Sequence, residues 1–221
     1  MKLSVVGLGP GDPKLISVRG SEALREADVV FVPYSSGTGR SLAIEIVKEY
    51  SLGEIVFLGF PMSEEVDEGK LKEIGNEICT KAKARSVFAT LGDPVLYSTY
   101  FRVKDYINCF DQVELIPGIS SITACSCKAE LNLGSKDDTI AIIPSSRRDV
   151  IQLAKDKFDT IVIVKGSHEL DVDAKLLSGY HITYARRCYM TGEVIAKWKE
   201  ENYHRDYFSM IIAKKVREDG R

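Results

Sequence analysis

Short runs of β-branched and other apolar residues alternate along the chain with longer stretches whose apolar positions recur every three or four residues. That alternation predicts βα units around a mostly parallel sheet. Strands are expected at Leu3 to Val6, Val29 to Val32, Ile55 to Leu58, Ser86 to Leu91 and Val113 to Ile116. Helices are expected near Val18 to Ala27, Ser41 to Tyr50, Glu68 to Ala84 and Thr99 to Cys109. Another should follow Pro117-Gly118, where Ile119, Ile122, Thr123 and Ser126 fall at helical spacing. A polar stretch from Leu133 to Asp138 breaks the pattern and reads as a linker. Past it, strands are expected at Thr139 to Ile143, Thr160 to Val164, His181 to Ala185 and Phe208 to Ala213, with a helix from Arg148 to Lys157. The chain therefore reads as two αβ domains, 1–134 and 135–221.

Composition narrows the class. A chain of 221 residues with 44% hydrophobic and 28% charged residues can build a core, which excludes disordered, collagen-like and coiled-coil proteins. Its apolar runs are far shorter than the roughly 20 residues that cross a bilayer, and its start leads straight into a strand. A cytoplasmic protein without a membrane partner is expected. Residues 1–134 carry 14 basic and 18 acidic side chains and residues 135–221 carry 16 and 14, which argues against a nucleic-acid partner but leaves room for a small polyanion. Cys79, Cys109, Cys125, Cys127 and Cys188 follow no disulfide framework and read as ordinary buried thiols of a reducing compartment. The pair Cys125 and Cys127 is two ligands short of a tetrahedral metal site, so no metal is expected.

Three motifs sit at predicted strand ends. Gly7-Leu8-Gly9-Pro10-Gly11-Asp12-Pro13 follows the first strand, but Asp12 stands where a dinucleotide fingerprint needs its third glycine, and no Gly-Lys-Ser/Thr of a P-loop follows. Gly92-Asp93-Pro94-Val95-Leu96-Tyr97-Ser98 ends the fourth strand, and Pro117-Gly118-Ile119-Ser120-Ser121 the fifth. Each is also explicable as a turn or a helix cap. In an open parallel sheet, however, that edge is where ligands bind.

In order and spacing these motifs resemble those of the tetrapyrrole methylase family, S-adenosylmethionine-dependent enzymes of cobalamin and sirohaem synthesis, over essentially the whole chain. Phe60-Pro61-Met62, the Gly92 to Thr99 segment and Tyr184 to Met190 are similar to the branch that methylates C20 of precorrin-2 or its cobalt-bound form, cobalt-factor II. The resemblance implies an α/β fold of two αβ domains, with a mostly parallel sheet in the first, a mixed sheet in the second and the active cleft between them, usually as a homodimer. It implies that S-adenosylmethionine, leaving as S-adenosylhomocysteine, meets Gly92, Asp93, Leu96, Ser120, Ser121, Val164, Lys165, Ser209 and Met210. It implies that Gly9, Pro10, Gly11 and Asp12 face the tetrapyrrole. The substrate's carboxylates call for cations, and Arg40, Arg147, Arg148, Arg186 and Arg187 are candidates by their places in loops and strand ends. A reduced tetrapyrrole carbon is enamine-like, so no acid–base dyad is expected, and His168, His181 and His204 have no triad spacing. Alternatives are a relative acting on another corrin carbon, uroporphyrinogen, a diphthamide precursor or ribosomal RNA, and a non-catalytic module that senses S-adenosylmethionine or a nucleotide.

Overall fold

The computed structural model describes residues 1–35, 42–61, 67–166 and 169–216. They form two compact units, Met1–Ser120 and Ser121–Arg221.

In the first unit, β1 (Lys2–Gly7), β2 (Val29–Ser35), β3 (Glu54–Phe60), β4 (Arg85–Thr90) and β5 (Gln112–Ile116) make one sheet in the order β3-β2-β4-β1-β5. Every pairing is parallel. The connecting helices are α1 (Val18–Arg25), α2 (Ala43–Tyr50), α3 (Glu68–Lys81) and α4 (Tyr100–Val103). Strand alternation sends Leu3, Val5, Phe31 and Phe88 to one face, where they meet Leu71, Ile74, Ile78 and Val103. Val6, Val30, Val32 and Val87 go to the other, against Leu24, Ile46 and Val47. Burial on both faces explains why these strands read as near-continuous apolar runs. The helix expected from Thr99 to Cys109 is cut to α4 and a 3-10 turn at Lys104–Tyr106.

In the second unit, β6 (Ile140–Pro144), β7 (Thr160–Val164), β8 (Tyr180–Arg186), β9 (Val194–Lys197) and β10 (Ser209–Lys215) form a sheet in the order β6-β7-β10-β8-β9. Only β6 and β7 pair in parallel, so the sheet is mixed. Helices α6 (Arg148–Ala154) and α7 (Leu170–Leu176) cover one face through Ile151, Ala154, Leu170 and Ala174. Helix α5 (Ser121–Lys128) covers the other, where Ile122 and Cys125 pack on Val162, Val164, Met210 and Ile212. Neither β9 nor α7 is expected from the sequence: β9 is only four residues long, and charged residues interrupt the seven of α7.

Two expectations change here. The compact units part at Ser120/Ser121 rather than at the polar stretch near Gly134, because α5 is packed on the second sheet and Thr160 Oγ1 donates to Leu133 O at 2.7 Å. The cysteines are not all buried thiols either. Cys79 is bonded to Cys109 and Cys125 to Cys188, while Cys127 is an exposed free thiol. Sequence spacing could not show this, since the partners stand 30 and 63 residues apart and meet only through packing. Among the described residues no helix is long and apolar enough to cross a membrane, and no cluster of His, Cys, Asp or Glu could hold a metal ion.

Candidate active site

All five strands of the first unit run the same way, so the three glycine-bearing loops emerge at one edge. They meet backbone to backbone. Gly9 N donates to Gly92 O at 3.2 Å and Gly92 N returns a bond to Gly9 O at 2.7 Å. A Cβ on Gly7 would lie 2.6 Å from Gly118 N and 2.8 Å from Gly92 O, and one on Gly118 would collide with Gly92 O. Gly7 and Gly118 are therefore needed for close approach, not for flexibility. At Gly92 the position of a Cβ is open, with nothing within 4 Å.

Asp93 joins two of these loops. Its Oδ1 accepts from Val95 N at 2.9 Å and its Oδ2 from Gly118 N at 3.1 Å. The carboxylate, which the resemblance gives to the cofactor, thus holds the loop after β4 to the loop after β5. Asp12 has a similar local task, accepting from Lys14 N at 2.9 Å to cap the turn at Pro13–Leu15. Pro10 and Gly9 are buried, whereas Gly11 and Asp12 are partly exposed. Past Asp93, the chain leaves apolar side chains in solvent: Val95 is 62% exposed, Leu96 36% and Tyr97 48%. Tyr97 also has φ +56°, a left-handed backbone that costs a non-glycine residue about 1 kcal/mol or more. Ser120 ends the first unit, and Ser121 opens α5 in the second.

The second unit carries the other residues expected to meet the cofactor. Val164 ends β7, and Lys165 turns the chain at φ +61°. Gly166 N then donates to Ser209 O at 3.0 Å, and any Cβ there would strike Ser209 Oγ. Ser209 and Met210 are both buried, with Ser209 Oγ bonded to Asp206 O and Met210 inside the core beneath α5. Ser209 and Leu170 build the seat for Gly166, while Met210 packs within the core.

Four of the five arginine candidates already have partners. Arg147 forms a two-pronged pair with Asp149 at 2.9 and 3.0 Å. Arg148 bridges Glu169 at 2.7 Å and the fully buried Asp173 at 3.1 Å. Arg186 donates to Gly192 O at 3.1 Å, and Arg187 pairs with Asp206. Arg40, Met62 and His168 lie outside the described residues. His181 and His204 are exposed and far apart in sequence, on β8 and in the loop before β10.

Sequence reasoning missed the polar groups around the end of β7: Glu169, Asp173, Tyr203 and Asp206. One signal was present, since Leu170, Ala174 and Leu177 recur at spacings of four and three, which would have placed Asp173 on a helix. The cluster Lys128, Tyr189 and Glu193 was also missed. Lys128 Nζ sits 4.5 Å from the Tyr189 ring centroid and bonds Glu193 at 3.1 Å. Burial would raise the Glu193 carboxyl, but the Tyr189 N–H and Lys128 outweigh it and hold it below its ordinary range.

A parallel α/β unit with three converging loops at one sheet edge is followed by a mixed-sheet α/β unit. Residues 2–203 match the family of tetrapyrrole (corrin/porphyrin) methylases, and the chain belongs to that family of methyltransferases, which use S-adenosylmethionine. A probable cobalt-precorrin-2 C(20)-methyltransferase of Methanocaldococcus jannaschii is 34% identical, over 98% of this chain and 97% of its own. A cobalt-precorrin-2 C(20)-methyltransferase of Salmonella typhimurium is 32% identical over 74% of this chain and 72% of its own. A cobalt-precorrin-4 C(11)-methyltransferase of M. jannaschii is 30% identical over 99% of this chain and 83% of its own. In fold, the chain is similar to uroporphyrin-III C-methyltransferase of Thermus thermophilus, solved with S-adenosylhomocysteine, with a TM-score of 0.69, 19% identity and 97% of each chain covered.

Proposed function

We propose that the protein transfers a methyl group from S-adenosylmethionine to C20 of cobalt-factor II or precorrin-2 in cobalamin biosynthesis. The observation that carries this reading is the 34% identity, over nearly the full length of both chains, with a relative named for that reaction. The segments Gly92 to Thr99 and Tyr184 to Met190, similar to the same branch, support it.

The residues fit the methyl donor. When bound, S-adenosylmethionine would supply a methyl group for in-line displacement, with S-adenosylhomocysteine leaving as the S–CH3 bond breaks. Such a reaction asks the protein for alignment and dryness rather than for proton transfer. The open backbone at Gly92, the exposed Leu96 and Ser120 would meet the donor on the first unit. The Val164–Lys165 backbone would meet it on the second. Asp93 would contribute by holding its two loops in register, and Val95 and Tyr97 would shield the reacting atoms from water. The Gly9 to Asp12 loop would face the macrocycle. Arg147, Arg186 and Arg187 would reach substrate carboxylates only by exchanging or sharing their present partners, at little loss where the existing pair is exposed. The resemblance also implies a homodimer.

The test mixes purified protein with S-adenosylmethionine and either pigment. Mass spectrometry should show one added methyl on one of them, and carbon-13 labelling of the donor methyl should place it at C20. No mass gain on either pigment defeats the reading. With cobalt-precorrin-4 offered in a parallel reaction, a methyl gained at C11 there and on neither first pigment would instead favour the reaction named for the 30% identical relative.

A further inference from the structure

The end of β7 is held from several sides by polar groups that no ligand contact accounts for. Ser145, just past β6, is buried and donates its N–H to Val164 O at 2.9 Å. Beside it lies Asp173 of α7, fully buried. Arg148, at the start of α6, donates Nε–H to Asp173 Oδ1 at 3.1 Å and a second N–H to Glu169 Oε2 at 2.7 Å. Glu169 immediately precedes α7 and is also reached by Arg205 at 3.8 Å. Tyr203 closes the other side: its hydroxyl donates to Gly166 O at 3.3 Å and accepts from Leu170 N at 3.4 Å.

We propose that Arg148 and Asp173 are positioning residues whose ion pair sets the path of the Val164–Gly166 turn that would hold the methyl donor. The inference rests on the donor reading above, and it reassigns Arg148 from substrate carboxylates to the donor's seat. Three features carry it. The turn is strained at Lys165, with φ +61°, and such backbone persists only where its surroundings over-determine it. Arg148 ties the beginning of α6 to the beginning of α7, the two elements that flank the turn's strand. The carboxylate of this pair is fully buried while Arg148 stays 40% exposed, and the cost of desolvating that charge offsets most of the attraction, so the value of the pair here lies in geometry. Burial pushes the Asp173 carboxyl up, while Ser145 and Arg148 partly hold it down. Asp173 Oδ2 and Ser145 Oγ are both buried without a well-formed hydrogen bond, close enough for the hydroxyl to favour the carboxylate but not to saturate it. Arg148 is the partner that makes a well-formed hydrogen bond to the buried charge.

The experiment compares the full-length protein with Asp173→Asn, Arg148→Met, Arg148→Lys and Tyr203→Phe. Calorimetry measures S-adenosylhomocysteine binding, steady-state kinetics separates kcat from the KM of donor and pigment, and thermal denaturation reports folding. Asp173→Asn and Arg148→Met are expected to weaken S-adenosylhomocysteine binding by about tenfold and to raise the donor KM similarly, with the pigment KM within about twofold of wild type. Arg148→Lys should recover only part of the loss, because one ammonium cannot reproduce the fork across Glu169 and Asp173. Tyr203→Phe removes a hydroxyl rather than a buried charge, so it tests the turn if the charge variants fail to fold, and about a fivefold loss of binding is expected. Binding unchanged in the folded variants while Tm falls would reduce the network to a structural role and overturn the inference. So would an Arg148→Met variant that raises only the pigment KM. Wild-type protein that binds no S-adenosylhomocysteine would instead defeat the donor reading itself, and the inference with it.

Discussion

Asp93 shows how the role of one residue depends on what reaches it. In the sequence it is a turn aspartate with a carboxylate to spare, and in the structure both oxygens are occupied by main-chain amides from two loops. Asp93→Ala removes two charge-assisted hydrogen bonds, each worth about 1.5 to 3 kcal/mol, and leaves the Gly118 amide without its partner. The expected outcome is a lower Tm together with weaker S-adenosylhomocysteine binding by calorimetry. Asp93→Asn, which keeps one acceptor, should fall between. Gly118→Ala is expected to be worse than either. Its Cβ collides with the main chain of Gly7 and Gly92, which cannot move without opening the sheet edge, and a loss of about 3 kcal/mol or more should appear in urea unfolding. Tyr97 tests the opposite relation. Tyr97→Gly relieves the left-handed backbone and should raise stability by up to about 1 kcal/mol while lowering turnover, because the exposed ring is lost from the loop. A variant that gained stability and kept full turnover would remove Tyr97 from the site.

At the scale of elements, α5 is the instructive case. Its sequence, Ser121 to Lys128, is rich in small residues and gives only a faint amphipathic signal, so the polar stretch after it looked like the domain break. Packing of Ile122 and Cys125 on the second sheet, reinforced by the bond from Cys125 to Cys188, assigns the helix to the second unit. The link closes a loop of 63 residues, for which chain entropy in the unfolded state gives a stabilisation of about 4 kcal/mol as an upper figure. Reduction with dithiothreitol, or Cys188→Ser, should therefore lower the unfolding midpoint, and more than Cys79→Ser, whose loop is 30 residues, if native packing is kept in both. Equal midpoints with and without reductant would mean that core packing alone holds α5. Edge strand β9 and helix α7 escaped the sequence pattern for a related reason: four and seven residues offer too few periods to stand out from their charged neighbours.

For the molecule as a whole, several surface carboxylates lie below their ordinary range because a cation bonds them: Asp28 through Arg85, Glu54 through Lys83, Glu114 through Lys2 and Arg19, and Asp149 through Arg147. A carboxylate depressed in the folded state stabilises it above the unfolded pKa and loses that contribution as pH falls through the folded value. Tm should therefore hold between pH 6 and 8 and decline below about pH 4, with added salt weakening these exposed pairs. Asp173 has the opposite sign, since burial raises it, so its charge burdens the fold at neutral pH and the burden eases on acidification. The alternation of apolar runs and the placement of glycines by themselves determined most strands and helices, the parallel first sheet and the three loops that meet at its edge, because both are local properties of the chain. The family was equally legible, since its motifs are contiguous. Only the tertiary structure decided which carboxylates and arginines are already engaged, where the units part, which cysteines pair and which polar groups surround the end of β7. Near neighbours such as Arg147 and Asp149 aside, those meetings join groups many residues apart through packing, and no local pattern encodes them.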